Sequence, residues 1–302
     1  MSKPWEAIYQ ISEEEATVVI EKQFSELSPV SIKVLGKGFD NTVYQVNEEF
    51  VFRFPRREIA LKLLRKENNL LPSIASKINI PIPNPLFLGQ PSKTYPCLFS
   101  GYRMIEGMTP MSLTREQRLE FVKPFAQFLT TLHSFPIDRA EKLGIPFDEM
   151  NRLSMKVRKP IMEDNIQKLK GLGYDPIIEK AENYLHSVEV IPVPDEKVLV
   201  HDDLHIRNIL VDEEGKIAGI IDWGDAHIGH RASDLSILYS LIPKEGRKPF
   251  YDIYGEVDSQ TKQLAKFKAI FVHILLLLYA HDVGDEALII ATRECLSLGL
   301  ED

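Results

Sequence analysis

The order of predicted elements places the chain in the α+β class, with a small β-rich lobe followed by a larger helical one. Three observations carry this. Short period-two apolar runs cluster in the first hundred residues, around a glycine-containing turn. From Thr114 onward apolar residues recur every three or four positions. One short hairpin is embedded among those helices, near residues 198–221. At 302 residues the chain exceeds one average domain, and the boundary is placed so that 1–105 form the N-lobe and 106–302 the C-lobe.

The bulk numbers narrow the function classes. The formal net charge is −8, with 44 acidic against 36 basic residues, the opposite of a nucleic-acid-binding surface. Cys97 and Cys295 lie far apart without CxxC spacing, so neither a disulfide framework nor a zinc site is expected and a reducing compartment is. Residues 1–5 lack the apolar core of a signal peptide. The most apolar run, 269–280, is about half a bilayer span and contains His273. It reads as a buried helix, and the protein as cytoplasmic, with no membrane partner.

Along the chain, Ser12 to Glu15 has the form of a capping box, and Ala16, Val19, Ile20 and Phe24 follow at helical spacing, predicting a helix over 12–26. Residues 30–35, 42–46 and 50–54 read as strands, the first two joined by Gly36-Lys37-Gly38. A helix over 58–76 is expected to break at Pro72. Cys97 to Phe99 reads as a strand and 101–107 as a connector. Helices are expected from Thr114, with breaks near Gly144, Pro146 and 171–173. Strands at 198–200, 208–211 and 217–221 precede the final helices, 264–279 and 286–298.

The segment after the strand at 198–200 carries the chemistry. It reads His201-Asp202-Asp203-Leu204-His205-Ile206-Arg207-Asn208, and Asp222 stands fourteen residues beyond Asn208 at the end of another strand. Phosphoryl transfer asks for a carboxylate beside the nucleophilic hydroxyl and for hard oxygen ligands that hold Mg²⁺ on the nucleotide phosphates. An Asp and an Asn five residues apart on one loop, with a second Asp at a hairpin's end, can supply both.

This pattern, His-x-Asp then Asn, a strand and Ile221-Asp222-Trp223, resembles that of the aminoglycoside and macrolide phosphotransferases, bacterial relatives of the protein kinases. The resemblance implies a protein-kinase-like two-lobed fold and a Mg²⁺-dependent transfer from ATP or GTP to a hydroxyl of a small molecule. By the same resemblance Asp203 is the catalytic carboxylate, Asn208 and Asp222 are metal ligands, and His201 buttresses the loop. The family usually has Gly where this chain has Asp202. That extra carboxylate can raise the pKa of Asp203, help hold a cation, or point into solvent, and the last is the expectation.

The first lobe supplies a candidate nucleotide site. Gly36, Gly38, Asn41 and Thr42 surround a turn, with Phe39 and Asp40 inside it, that either covers a nucleotide or is a plain hairpin. Arg53 stands where protein kinases carry a phosphate-binding Lys, and Glu67, fourteen residues on, is its natural partner. A surface charge is the competing reading of Arg53. Arg56, Arg57 and Lys62 read as solvated. Arg103 and Ile105 fall in a segment similar to the family's hinge, where backbone groups hold the purine, which leaves ATP and GTP equally open.

For the acceptor, Asp225, Asp282, Asp285 and Glu286 form a candidate acidic wall with Asp203, suited to an aminoglycoside through charge-assisted hydrogen bonds. Asp234 reads instead as an acid at a helix start. Residues 151–158 are similar to a segment of macrolide phosphotransferases, so a macrolide or a metabolite alcohol stays open as acceptor, with antibiotic resistance as the role the resemblance implies. A nucleotide-binding pseudokinase acting as an interaction module is the reading from another class.

Overall fold

The computed structural model describes residues 8–38 and 40–301; the leader reading on residues 1–5 and the position of Phe39 in the glycine turn lie outside these. The chain divides into two compact units, residues up to 77 with 81–105, and 78–80 with the remainder from Glu106.

The first unit opens with α1 (Glu13–Gln23), where Ser12 and Glu15 cap each other's backbone as the sequence required. A single 3₁₀ turn (Ser25–Leu27) leads to β1 (Ile32–Lys37), β2 (Asn41–Val46) and β3 (Phe50–Pro55). Then come α2 (Glu58–Ile74), β4 (Pro85–Gly89) and β5 (Phe99–Arg103). The five strands form one antiparallel sheet in the order β1-β2-β3-β5-β4. Its core holds Tyr44, Phe52, Phe54 and Phe99 at no exposure, with the rings of Phe54 and Phe99 stacked 4.6 Å apart. The expected connector at 101–107 begins instead as part of β5. Gly101 is there because a Cβ would lie 2.5 Å from the Phe52 ring across the sheet.

Pro72 does not break α2, which continues to Ile74. It sits in the last turn, where its missing N–H removes one bond near a fraying end instead of splitting a helix interior. The apolar face formed by Leu64, Leu70, Leu71 and Ile74 is buried and carries Glu67 with it.

The second unit is mainly helical. α3 (Arg115–Glu120), capped by Thr114 and Gln117, and α4 (Val122–His133) precede α5 (Ile137–Lys142), α6 (Met155–Leu169) and α7 (Asp175–Ser187). Four short strands follow: β6 (Val198–Val200), β7 (Ile209–Val211), β8 (Ile217–Ile220) and β9 (His227–Gly229). β7 pairs with β8 as expected, while β6 pairs with β9, a partner too short to show in the sequence. The chain ends in α8 (Ala232–Leu235), α9 (Ile237–Ser240), α10 (Lys244–Tyr254), α11 (Ser259–Val283) and α12 (Glu286–Gly299).

α11 is longer than the run seen in the sequence: with 25 residues it is long and apolar enough to cross a membrane by length and composition. Yet Leu264, Phe267, Ile270, Ile274 and Leu277 are buried inside the unit, together with Lys268 and His273. It is the central core helix, packed against α6, α8, α9 and α12.

Candidate active site

β6 delivers the chain into the loop 201–208, and His201, at no exposure, anchors it. The backbone N–H of Asp203 donates to His201 Nδ1 at 3.2 Å. That nitrogen must therefore lack a proton, and Nε2 donates to the Ile221 carbonyl at 3.1 Å. The ring meets Trp223 edge-on at 4.6 Å, so the imidazole ties the loop to the end of β8 and to the core behind it.

Asp203 is held on both carboxylate oxygens. Asn208 donates its side-chain amide to Oδ2 at 2.7 Å and to the Asp203 carbonyl at 3.0 Å. Both partners are acceptors, which fixes the NH₂ on that side and turns the Asn208 amide oxygen the other way. His205 accepts the Arg207 N–H on Nδ1 and faces Asp203 Oδ1 with Nε2 at 3.2 Å. Burial opposes the charge on Asp203, but the hydrogen bond from His205, with His201 and Lys268 nearby, holds its carboxyl well below the usual carboxylate range. One third of the side chain stays exposed, enough to meet an incoming group.

Asp222 follows β8 in the left-handed region, φ +62°, one of the few residues that adopts it without glycine. The preceding Ile221 N–H donates to the Asn208 carbonyl at 2.9 Å, which joins the two metal-ligand candidates through backbone. Asp222 is exposed. A free amide oxygen and a solvent-facing carboxylate are the hard donors that suit Mg²⁺, so the residues present fit that ion. His205, His227 and His230 do not gather into a metal site; among the described residues no group of three His, Cys, Asp or Glu does.

Asp202 corrects its sequence reading. It does not point into solvent: it is 5 % exposed, with φ +69°. Its carboxylate pairs with Arg152 Nη1 at 3.0 Å and with Lys268 Nζ, which also donates to the Asp202 carbonyl at 2.7 Å. Arg152 continues to Asp225 at 2.8 Å, so Asp225 of the expected acidic wall carries a cation on its carboxylate. Asp234 stands in the first turn of α8, as expected of a helix-start acid, and its carboxylate does more than that. Its carboxylate, fully buried, accepts the N–H of His201 at 2.9 Å and of Asp202 at 2.7 Å, with His133 Nε2 at 3.1 Å. Burial opposes its charge, while the His133 bond and charge, with His201, keep its carboxyl below the ordinary value. No spacing rule pointed to Arg152, Lys268 or His133, because each reaches the loop from a distant element.

In the first unit Arg53, on β3 opposite Val43 and Ser100, meets the buried Glu67 at 2.6 Å. It is therefore a half-buried paired cation, not a surface charge. The turn between β1 and β2 is closed by the Gly38 N–H on the Asn41 carbonyl at 3.0 Å. Arg56 donates to the Gly38 carbonyl at 2.5 Å and Arg57 pairs with Asp40, so these two arginines brace the turn instead of being merely solvated. Lys62 is exposed as expected. Thr42 is buried, the Asn41 side-chain oxygen is buried without a partner among the described residues, and Gly36 has open space around it. Arg103 pairs with Glu49 at the surface, and Ile105, half-buried, ends the unit.

Of the remaining acids, Asp285 caps α12 by accepting the Leu288 N–H at 3.0 Å, while Asp282 and Glu286 are exposed on either side of Gly284. These three lie at the α11–α12 corner.

Comparison with known proteins bears on the family and the fold. Aminoglycoside 3'-phosphotransferase of Escherichia coli is 27 % identical over 131 residues, 41 % of this chain and 44 % of that protein. The chain spans less than half the length of the curated relatives it matches. Among solved structures, the GDP and kanamycin complex of APH(2")-IIia is 25 % identical, covers 95 % of this chain and 98 % of its own, and has a TM-score of 0.67. Macrolide 2'-phosphotransferase type I, at 19 % identity, covers 94 % and 97 % with a TM-score of 0.58, a likeness of fold. The profile of the phosphotransferase enzyme family matches residues 31–267, more than half the chain, and the protein belongs to that family, with its protein-kinase-like fold.

Proposed function

We propose that the protein is a Mg²⁺-dependent O-phosphotransferase that moves the γ-phosphate of ATP or GTP to a hydroxyl of a small molecule, an aminoglycoside first among acceptors. The observation that carries this is Asp203, kept ionised and partly exposed, with Asn208 locked against it and its amide oxygen free. Asp203 orients the acceptor hydroxyl and takes its proton as that oxygen bonds to the γ-phosphorus and the bond to the nucleoside diphosphate breaks. Asn208 and Asp222 would hold the magnesium, which when bound neutralises phosphate charge. Arg53, oriented by Glu67, supplies a second cation for the α/β phosphates, and the turn at 36–42 contributes backbone. An aminoglycoside acceptor is supported by the kanamycin that the 25 % identical neighbour binds.

The test is nucleotide consumption with Mg²⁺, ATP and GTP in parallel, across aminoglycosides, macrolides and simple metabolic alcohols. Acceptor-dependent turnover that disappears in Asp203→Asn supports the reading and names the acceptor class. Turnover unchanged in Asp203→Asn would remove it, and nucleotide binding without turnover on any acceptor would favour the pseudokinase.

A further inference from the structure

We infer that Lys268 is a positioning residue for Asp203, acting through the peptide and side chain of Asp202. The Asp202 carbonyl and the Asp203 N–H belong to one peptide plane. Lys268 Nζ donates to the oxygen of that plane at 2.7 Å, and His201 Nδ1 accepts its N–H at 3.2 Å. The plane that launches the Asp203 side chain is thus gripped on both edges.

The residue before it stands in the left-handed region that favours glycine, so this backbone persists only because its surroundings determine it. Asp234 fixes the Asp202 N–H, Lys268 fixes the carbonyl and one carboxylate oxygen, and Arg152 fixes the other. Lys268 sits on the rigid core helix α11 and is 7 % exposed. A buried ammonium is costly unless paired, and here two acids, Asp202 and Asp225, balance two cations, Lys268 and Arg152. Lys268 hydrogen-bonds Asp202, not Asp203, so its grip on the geometry of Asp203 passes through the neighbouring residue, while its charge adds to the lowering of the Asp203 carboxyl.

This inference rests on the phosphotransferase reading, and the experiment separates the two. Wild type, Lys268→Met and Lys268→Met/Asp202→Gly are compared in acceptor-dependent turnover, well below each variant's melting temperature. Lys268→Met is expected to lose roughly ten- to hundredfold in kcat with nucleotide KM within about twofold. Adding Asp202→Gly, which tolerates the left-handed backbone and removes the acid that Lys268 balanced, should recover part of that loss. Should Lys268→Met not fold, Asp202→Asn serves in its place, with the same fall in kcat at constant nucleotide KM. Wild-type turnover with kcat kept in whichever single variant folds, or no recovery in the double variant, overturns the inference and leaves the phosphotransferase standing. A wild type without acceptor-dependent turnover removes the enzyme reading itself.

Discussion

Asn208 and Asp203 are joined twice, the amide of one donating to both the carboxylate and the carbonyl of the other, at 2.7 and 3.0 Å. The pair acts as a clamp: the amide that would hold metal also sets the torsion of the proposed base. Asp203→Asn should therefore lower kcat by about 10²–10⁴-fold, the span of a positioned general base, with nucleotide KM little changed. Asn208→Ala should lower kcat as well and shift the Mg²⁺ titration of activity to higher concentration. Steady-state kinetics over a Mg²⁺ series reads both, and a titration that stays put in Asn208→Ala counts against the metal assignment.

Arg53→Met is expected to raise nucleotide KM by roughly tenfold or more and to destabilise the first unit, because Glu67 is left buried beside a thioether. Arg53→Lys should be milder, since it keeps the charge and loses only the fork. Nucleotide titration and thermal melting of both variants check this.

Asp234→Ala removes the acceptor of two buried backbone N–H groups and of His133. A loss of about 3–5 kcal/mol of stability is expected, in line with breaking a buried charged network. Denaturant unfolding measures it; a change under about 1 kcal/mol would show that water replaces the carboxylate at little cost.

His273 gives a pH dependence. Burial pushes its imidazole down from 6.5 to about 4, against the Ala269 carbonyl that accepts from Nδ1 at 2.8 Å. The unfolded chain takes up this proton first as pH falls, so the contribution is complete above 6.5 and is lost between there and about 4. The slope is up to about 1.4 kcal/mol per pH unit. Melting temperature followed over that range should fall less steeply in His273→Leu than in wild type.

Much of the architecture was legible because it is written locally. The capping box at Ser12 and the alternation of β2 and β3 need only neighbours a few residues apart. The loop from His201 to Asn208 could be picked out because the residues that carry its resemblance stand within eight positions of one another. What stayed hidden depends on long-range pairing. Asp202 looked like a surface acid because Lys268, its partner, is 66 positions away on another element. Asp234 could be read as a helix-start acid, but nothing nearby in sequence shows that two loop N–H groups would also point at it. Pro72 and the strand β9 failed for a third reason: the rules for breaking or starting an element weaken at its last turn and at three-residue length.

The location of Lys268 on α11 also sets an order of events on the ribosome. Asp202 is synthesised 66 residues before the ammonium that balances it, and α11 supplies much of the apolar filling of its unit as well. Until that helix emerges and docks, the loop carries an acid with no ammonium to accompany it into a core that cannot yet close. Nascent chains stalled between residues 210 and 260 should thus be open to proteases and chaperones around the loop, and the proposed catalytic apparatus is among the last parts of the molecule to mature.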